Sequence, residues 1–169
     1  MGEAYIVEAV RTPIGRGRED GALHSVQPVD LLGMVLSEVV ARGGLPKAEV
    51  QDVIAGCVTP VGEQGGNIGR LALLKAGFPV EVPGLQLNRA CGSSQQAVHN
   101  SAQAIAAGDI DLAISCGVEM MGRVAMGSDF SLDEEYSATF PFEFVHQGIS
   151  AEMIAKKWDL TRRELDEFS

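Results

Sequence analysis

Pro83-Gly84-Leu85-Gln86-Leu87-Asn88-Arg89-Ala90-Cys91-Gly92-Ser93-Ser94-Gln95-Gln96-Ala97 carries the chain from an extended apolar run, Pro83 to Asn88, into a helix of small residues, Ser93 to Ala107. A cysteine stands at the joint. The N-terminus of a helix carries partial positive charge and N–H groups without intrahelical partners. A thiol placed at such a terminus ionises more readily, and the thiolate is the nucleophilic form. The joint therefore points to an α/β fold and marks Cys91 as the candidate nucleophile of an enzyme that carries an acyl group.

Outward from this joint, strand and helix patterns alternate. Ala4 to Val10 reads as a first strand, followed by a Gly/Arg-rich loop from Thr12 to Asp20. Pro28 suits a helix start, with Leu32, Val35, Leu36, Val39 and Val40 at helical spacing and Gly43-Gly44 as the stop. Val53 to Val58 is a second strand, and a glycine-rich turn from Pro60 to Gly66 leads to a short helix over Asn67 to Ala76. Leu85 to Leu87 is the third strand, and Ile110 to Val118 a strongly apolar fourth. This order predicts a mostly parallel mixed sheet covered by helices. The helix after Cys91 (Ser93, Ser94, Ala97, Ser101, Ala102, Ala104, Ala106, Ala107) is expected to be central, because its small side chains allow close approach on several sides.

From Met121 to His146 the α/β rhythm stops, which predicts a domain of residues 1–120 and the start of a second, loop-like subdomain over 121–169. Helical pattern resumes at Ser150 to Trp158, and Thr161-Arg162-Arg163-Glu164 matches a capping box. The last helix has barely two turns, which reads as a truncated chain.

At 169 residues with 46% hydrophobic content, the chain supports one substantial core. Its net charge of −10 argues against a nucleic-acid partner or an anionic membrane surface. Cys57, Cys91 and Cys116 form no metal-ligand spacing and no CxxC pair, so reduced thiols in a cytoplasmic protein without a metal are expected. Cys57 and Cys116 lie inside apolar strands and read as packing residues. His99 falls about two turns into the small-residue helix, on the order of 10 Å from Cys91 by axial rise, and reads as a packing or polar-contact residue. Gly62 to Gly69 lacks the Lys-Ser/Thr ending of a phosphate loop and the dinucleotide spacing, so it reads as a tight connection.

With these residues in view, the chain resembles the N-terminal part of a thiolase. Glu8-Ala9-Val10-Arg11-Thr12-Pro13-Ile14-Gly15 is similar to that family's first strand and loop. Gly62-Glu63-Gln64-Gly65-Gly66-Asn67 with Arg70 resembles the loop before its second helix. Asn88 to Ala97 resembles the nucleophile motif, and Gly117-Val118-Glu119-Met120-Met121 the next strand end. His146-Gln147-Gly148-Ile149-Ser150-Ala151-Glu152 is similar to its substrate-loop segment, with Thr161 to Phe168 as the following helix. The family usually has Gly where Ser94 stands, so this helix entrance is more crowded. It often has Met where Gln147 stands, so Gln puts a polar group there.

The resemblance implies an acyl-CoA C-acyltransferase that cleaves 3-ketoacyl-CoA with CoA, or runs the reverse Claisen condensation, through an acyl-Cys91 thioester. It implies His146 and Gln147 along the CoA pantetheine, coenzyme A as substrate with no further cofactor, and a homodimer or homotetramer assembled through the Met121 to Phe144 loop. The family's base His, second Cys and water-positioning Asn lie in a second α/β half. No Gly-His-Pro and no Cys-x-Gly-Gly-Gly occurs here, so the chain alone is expected not to turn over. The alternatives are a non-catalytic CoA-binding or assembly subunit serving a partner chain, and a ketoacyl-synthase-like condensing enzyme. Glu8 to Pro13 and Gln95-Gln96-Ala97 speak against the second.

Overall fold

The computed structural model describes residues 2–131 and 133–169. It divides into two units, Met1–Phe130 and Ser131–Ser169. The first contains helix α1 (Pro28–Gly43), strand β1 (Asp52–Gly56), helix α2 (Ile68–Lys75), strand β2 (Gly84–Leu87), helix α3 (Ser93–Ala107) and strand β3 (Ala113–Gly117). The strands run parallel in the order β2-β1-β3, with Ile54 opposite both Leu85 and Ser115.

Alternation along β1 sends its side chains to two helical layers. Val53, Ala55 and Cys57 join Leu32, Leu36 and Val40 of α1 and Ile68, Ala72 and Leu73 of α2 in one core, closed by Val50, Phe78 and Val82. On the opposite face α3 buries Ser93, Ala97 and Ser101. The Ser115 hydroxyl donates to the Ala97 carbonyl at 3.1 Å and can accept from the Ser101 hydroxyl, 2.8 Å away. The side of α3 that carries Gln95, Val98 and His99 is uncovered in this chain.

Helix termini follow local chemistry. Pro28 opens α1, and Gly44 closes it in the left-handed region at φ 65°. Asn67 caps α2 at φ 62°, where its Oδ1 accepts from the Arg70 N–H at 3.1 Å and its Nδ2 donates to the Gly84 carbonyl at 2.7 Å. Asn67→Ala loses both bonds and places a β-carbon in a left-handed backbone. We expect a loss of about 2 kcal/mol, read as a lower urea midpoint at unchanged m-value. Asn67→Gly should recover the backbone share of that loss.

The expected strand over Ala4 to Val10 does not form. This segment has no regular secondary structure and no strand partner, with Tyr5, Ile6 and Val7 at 74%, 80% and 71% exposure. Its flanks are tethered: the Gly2 N–H donates to the Ala106 carbonyl at 3.1 Å, and His24 Nδ1 lies 2.9 Å from the Gly122 carbonyl. Between the segment and β3 lies a cavity of about 890 Å³ lined by apolar residues of α1, α3 and β3. Strand propensity is a local preference, whereas a strand needs a neighbouring edge within hydrogen-bonding reach, and no described residue supplies one. The fourth expected strand starts at Ala113 instead of Ile110, because the Gln51 side chain takes the Leu112 N–H at 3.1 Å just before it.

The second unit holds α4 (Glu134–Ser137), α5 (Gln147–Lys157) and α6 (Arg162–Phe168). Thr161 and Glu164 form the expected reciprocal capping box at the start of α6. Helix α5 begins earlier than Ser150, because the ring of His146 accepts the Gly148 N–H at 3.2 Å and caps it.

Candidate active site

Between β2 and α3 the chain reverses through Asn88-Arg89-Ala90-Cys91. Ala90 sits in the left-handed region at φ 45°, which costs a residue with a β-carbon about 1–2 kcal/mol. Four bonds over-determine it. Asn88 Oδ1 accepts the Ala90 N–H at 2.8 Å. The buried Ser93 hydroxyl accepts the Arg89 N–H at 2.8 Å and donates to the Ala90 carbonyl at 2.6 Å. The Gly92 N–H closes the turn on the Arg89 carbonyl at 3.1 Å. The result is a sharp elbow that leaves Cys91 exposed, one residue ahead of the Gly92 cap of α3. No side chain caps α3; the Ser93 N–H turns back to the Ala90 carbonyl at 3.1 Å, and the amides of Ser94 and Gln95 keep their donor capacity.

The elbow seats on the sheet where the sheet has no side chains. A β-carbon added at Gly56 would lie 2.4 Å from the Ser94 nitrogen. One added at Gly117 would lie 1.8 Å from the Ser94 hydroxyl. The crowding expected from Ser94 is thus real, and Gly117 accommodates it.

The other two thiols differ in kind. Burial, followed by the negative charge of Glu119, pushes Cys57 up to about 11. Burial pushes Cys116 up to about 12, with its sulfur 3.6 Å from the Ile54 carbonyl. Both are held as neutral thiols at neutral pH.

Sequence reasoning missed the supports of the elbow. Asn88 Nδ2 donates to the Val58 carbonyl at 2.8 Å. The Glu119 carboxylate receives the Val58 N–H at 2.7 Å, the Thr59 N–H at 3.3 Å and the Gln64 amide at 2.9 Å. Gln64 is fully buried, and its carbonyl oxygen takes the Met120 N–H at 2.6 Å. The available signal was a Gln inside a glycine-rich turn and a Glu directly after an apolar strand, both polar where the chain should be buried.

Of the other residues singled out, His146 and Gln147 belong to the second unit as cap and first residue of α5, and both are exposed. His99 is exposed on α3. Among the described residues no group of three or more His, Cys, Asp and Glu side chains is arranged to hold a metal, and no helix is long and apolar enough to cross a membrane.

Comparison with known proteins agrees with this geometry. The family model described as "Thiolase, N-terminal domain" matches residues 4–169. The steroid 3-ketoacyl-CoA thiolase FadA6 of Mycobacterium tuberculosis is 41% identical, with 100% of this chain and 44% of that protein covered. A 3-ketoacyl-CoA thiolase of Yersinia pestis is 40% identical at the same coverage. The crystal structure of the Bacillus anthracis acetyl-CoA acetyltransferase superposes with a TM-score of 0.72 at 33% identity, covering 87% of this chain and 40% of that one. The chain thus spans less than half the length of the relatives it matches.

Proposed function

The chain belongs to the thiolase family, matching its N-terminal domain over residues 4–169, and from that premise we propose that Cys91 is the acyl-carrying nucleophile of an acyl-CoA C-acyltransferase. The observation that carries the reading is the exposed thiol on a left-handed elbow at the start of an uncapped helix.

In the proposed reaction the Cys91 sulfur attacks the 3-keto carbon of a 3-ketoacyl-CoA. The bond between the α and β carbons breaks, acetyl-CoA departs as its enolate and takes up a proton, and the shortened acyl group stays on sulfur as a thioester. The thiol of a second CoA then takes the acyl group and returns the thiolate, with the reverse sequence giving condensation. N–H groups at the start of α3, including that of Cys91 itself, are the donors this reading assigns to the developing oxyanion. In the second unit it assigns His146 and Gln147 to the CoA pantetheine. Coenzyme A enters as substrate with no further cofactor, and the working protein is a cytoplasmic homodimer or homotetramer. Proton transfer to the enolate and from the CoA thiol requires groups that this reading places outside the chain, so acylation without turnover is the expected behaviour here.

The test is incubation of the purified chain with acetyl-CoA, followed by peptide mass spectrometry. One acetyl group on the Cys91 peptide, absent from Cys91→Ser, is the expected result, with no sustained thiolysis of acetoacetyl-CoA. Protection of Cys91 from iodoacetamide by acyl-CoA without any acyl transfer would instead favour a CoA-binding subunit. The absence of both acylation and protection would overturn the reading.

A further inference from the structure

The peptide group between Val58 and Thr59 is held from both ends. Its N–H, on Thr59, points to the Glu119 carboxylate at 3.3 Å, which also receives the preceding Val58 N–H at 2.7 Å. Its carbonyl, on Val58, accepts from Asn88 Nδ2 at 2.8 Å. The other end of the same carboxamide accepts the Ala90 N–H at 2.8 Å, adjacent to Cys91. A carboxylate bonded to an amide N–H polarises that amide and strengthens its carbonyl as an acceptor. A continuous path of hydrogen bonds therefore runs from Glu119, at the end of β3, through the end of β1 to the elbow. Gln64 holds the far side, since its two ends bind Glu119 at 2.9 Å and the Met120 N–H at 2.6 Å.

We propose that Asn88 and Glu119 are positioning residues for Cys91: the carboxylate orients the 58–59 peptide, and Asn88 uses that peptide to hold Ala90 in its left-handed conformation. The assignment rests on Cys91 being the nucleophile. Neither side chain touches the thiol in this arrangement. What they set is the backbone from which the thiol projects, and a short polar side chain with both a donor and an acceptor is needed to bridge the two peptides. Asp at position 88 would keep the acceptor and lose the donor.

The experiment uses the full chain and follows iodoacetamide labelling of Cys91, with Cys57 and Cys116 as internal references and amide exchange at Ala90 as a second readout. Asn88→Ala removes both the bond to the Val58 carbonyl and the bond from the Ala90 N–H, and is expected to slow Cys91 labelling about fivefold and to speed Ala90 exchange. Glu119→Gln is expected to act in the same direction. The double variant should match Asn88→Ala within about twofold, because both act along one path. Asn88→Ala with Ala90→Gly should regain most of the lost rate, since glycine adopts positive φ without being held there. A general structural defect would produce none of this rescue and would speed Cys57 and Cys116 as well. Should Glu119→Gln fail to fold, Asn88→Ala at its exposed position still decides the matter. A fast wild-type rate unchanged by Asn88→Ala overturns the positioning assignment alone. A wild-type Cys91 no faster than free glutathione overturns the nucleophile reading and this assignment with it.

Discussion

Iodoacetamide will label Cys91 at least about 100-fold faster than Cys57 or Cys116 in the native chain, and Cys91→Ser will leave only the slow phase. Two consequences of burial set this order. The first is ionisation: with Cys57 pushed up to about 11 and Cys116 to about 12, roughly one molecule in 10⁴ and one in 10⁵ carries the thiolate at pH 7, against about one in 30 for an ordinary thiol. The second is access, because Cys57 is buried while Cys91 is exposed. Peptide-resolved mass spectrometry separates the three sites, and labelling in denaturant should bring the rates together. Native rates within tenfold of one another would mean that Cys57 and Cys116 are not held as neutral thiols.

Gly56→Ala will be the most damaging single-methyl change near the site, lowering stability by about 3 kcal/mol and the melting temperature by roughly 6–12 °C. The new β-carbon would stand 2.4 Å from the Ser94 nitrogen and 2.5 Å from the Ser93 carbonyl carbon. Those are backbone atoms of the first turn of α3, so relief requires moving the helix start and the elbow with it. Gly117→Ala makes a different collision, 1.8 Å from the Ser94 hydroxyl and 3.0 Å from its β-carbon. Its main obstacle is a side chain, so Ser94→Gly in the same chain should restore stability there and leave Gly56→Ala uncorrected. Differential scanning calorimetry of the four variants checks this. A Gly56→Ala melting point within a degree of wild type would show that α3 does not seat on the sheet at this glycine.

The contrast between these two glycines shows what local sequence conveys. That a glycine lies in a strand is readable, but which atoms of a distant helix press against it is not. The same division separates Cys91 from its supports. Its place at a strand-to-helix joint follows from an apolar run meeting a small-residue run, and both are contiguous signals. The bond from Asn88 to Val58 joins positions 30 residues apart, and that from Glu119 to Val58 joins positions 61 apart. No periodicity records such pairs. His146 illustrates a third case: its role as the cap of α5 is local, because its ring accepts the N–H of Gly148 two residues on.

The amino-acid sequence by itself determined the order of strands and helices from Pro28 to Gly117, the Pro28, Asn67 and Thr161 helix starts, and the position of Cys91 ahead of α3. All of these rest on interactions within a turn or two of chain, where side-chain type and spacing act directly on neighbouring backbone. The tertiary structure alone decided that Ala4 to Val10 stays unpaired beside β3. It also decided that Gly56 and Gly117 receive the first turn of α3, and that Glu119 and Asn88 grip the elbow. Those outcomes depend on which distant backbone groups come within about 3 Å of one another, and hydrogen bonds and steric contacts act only at that range.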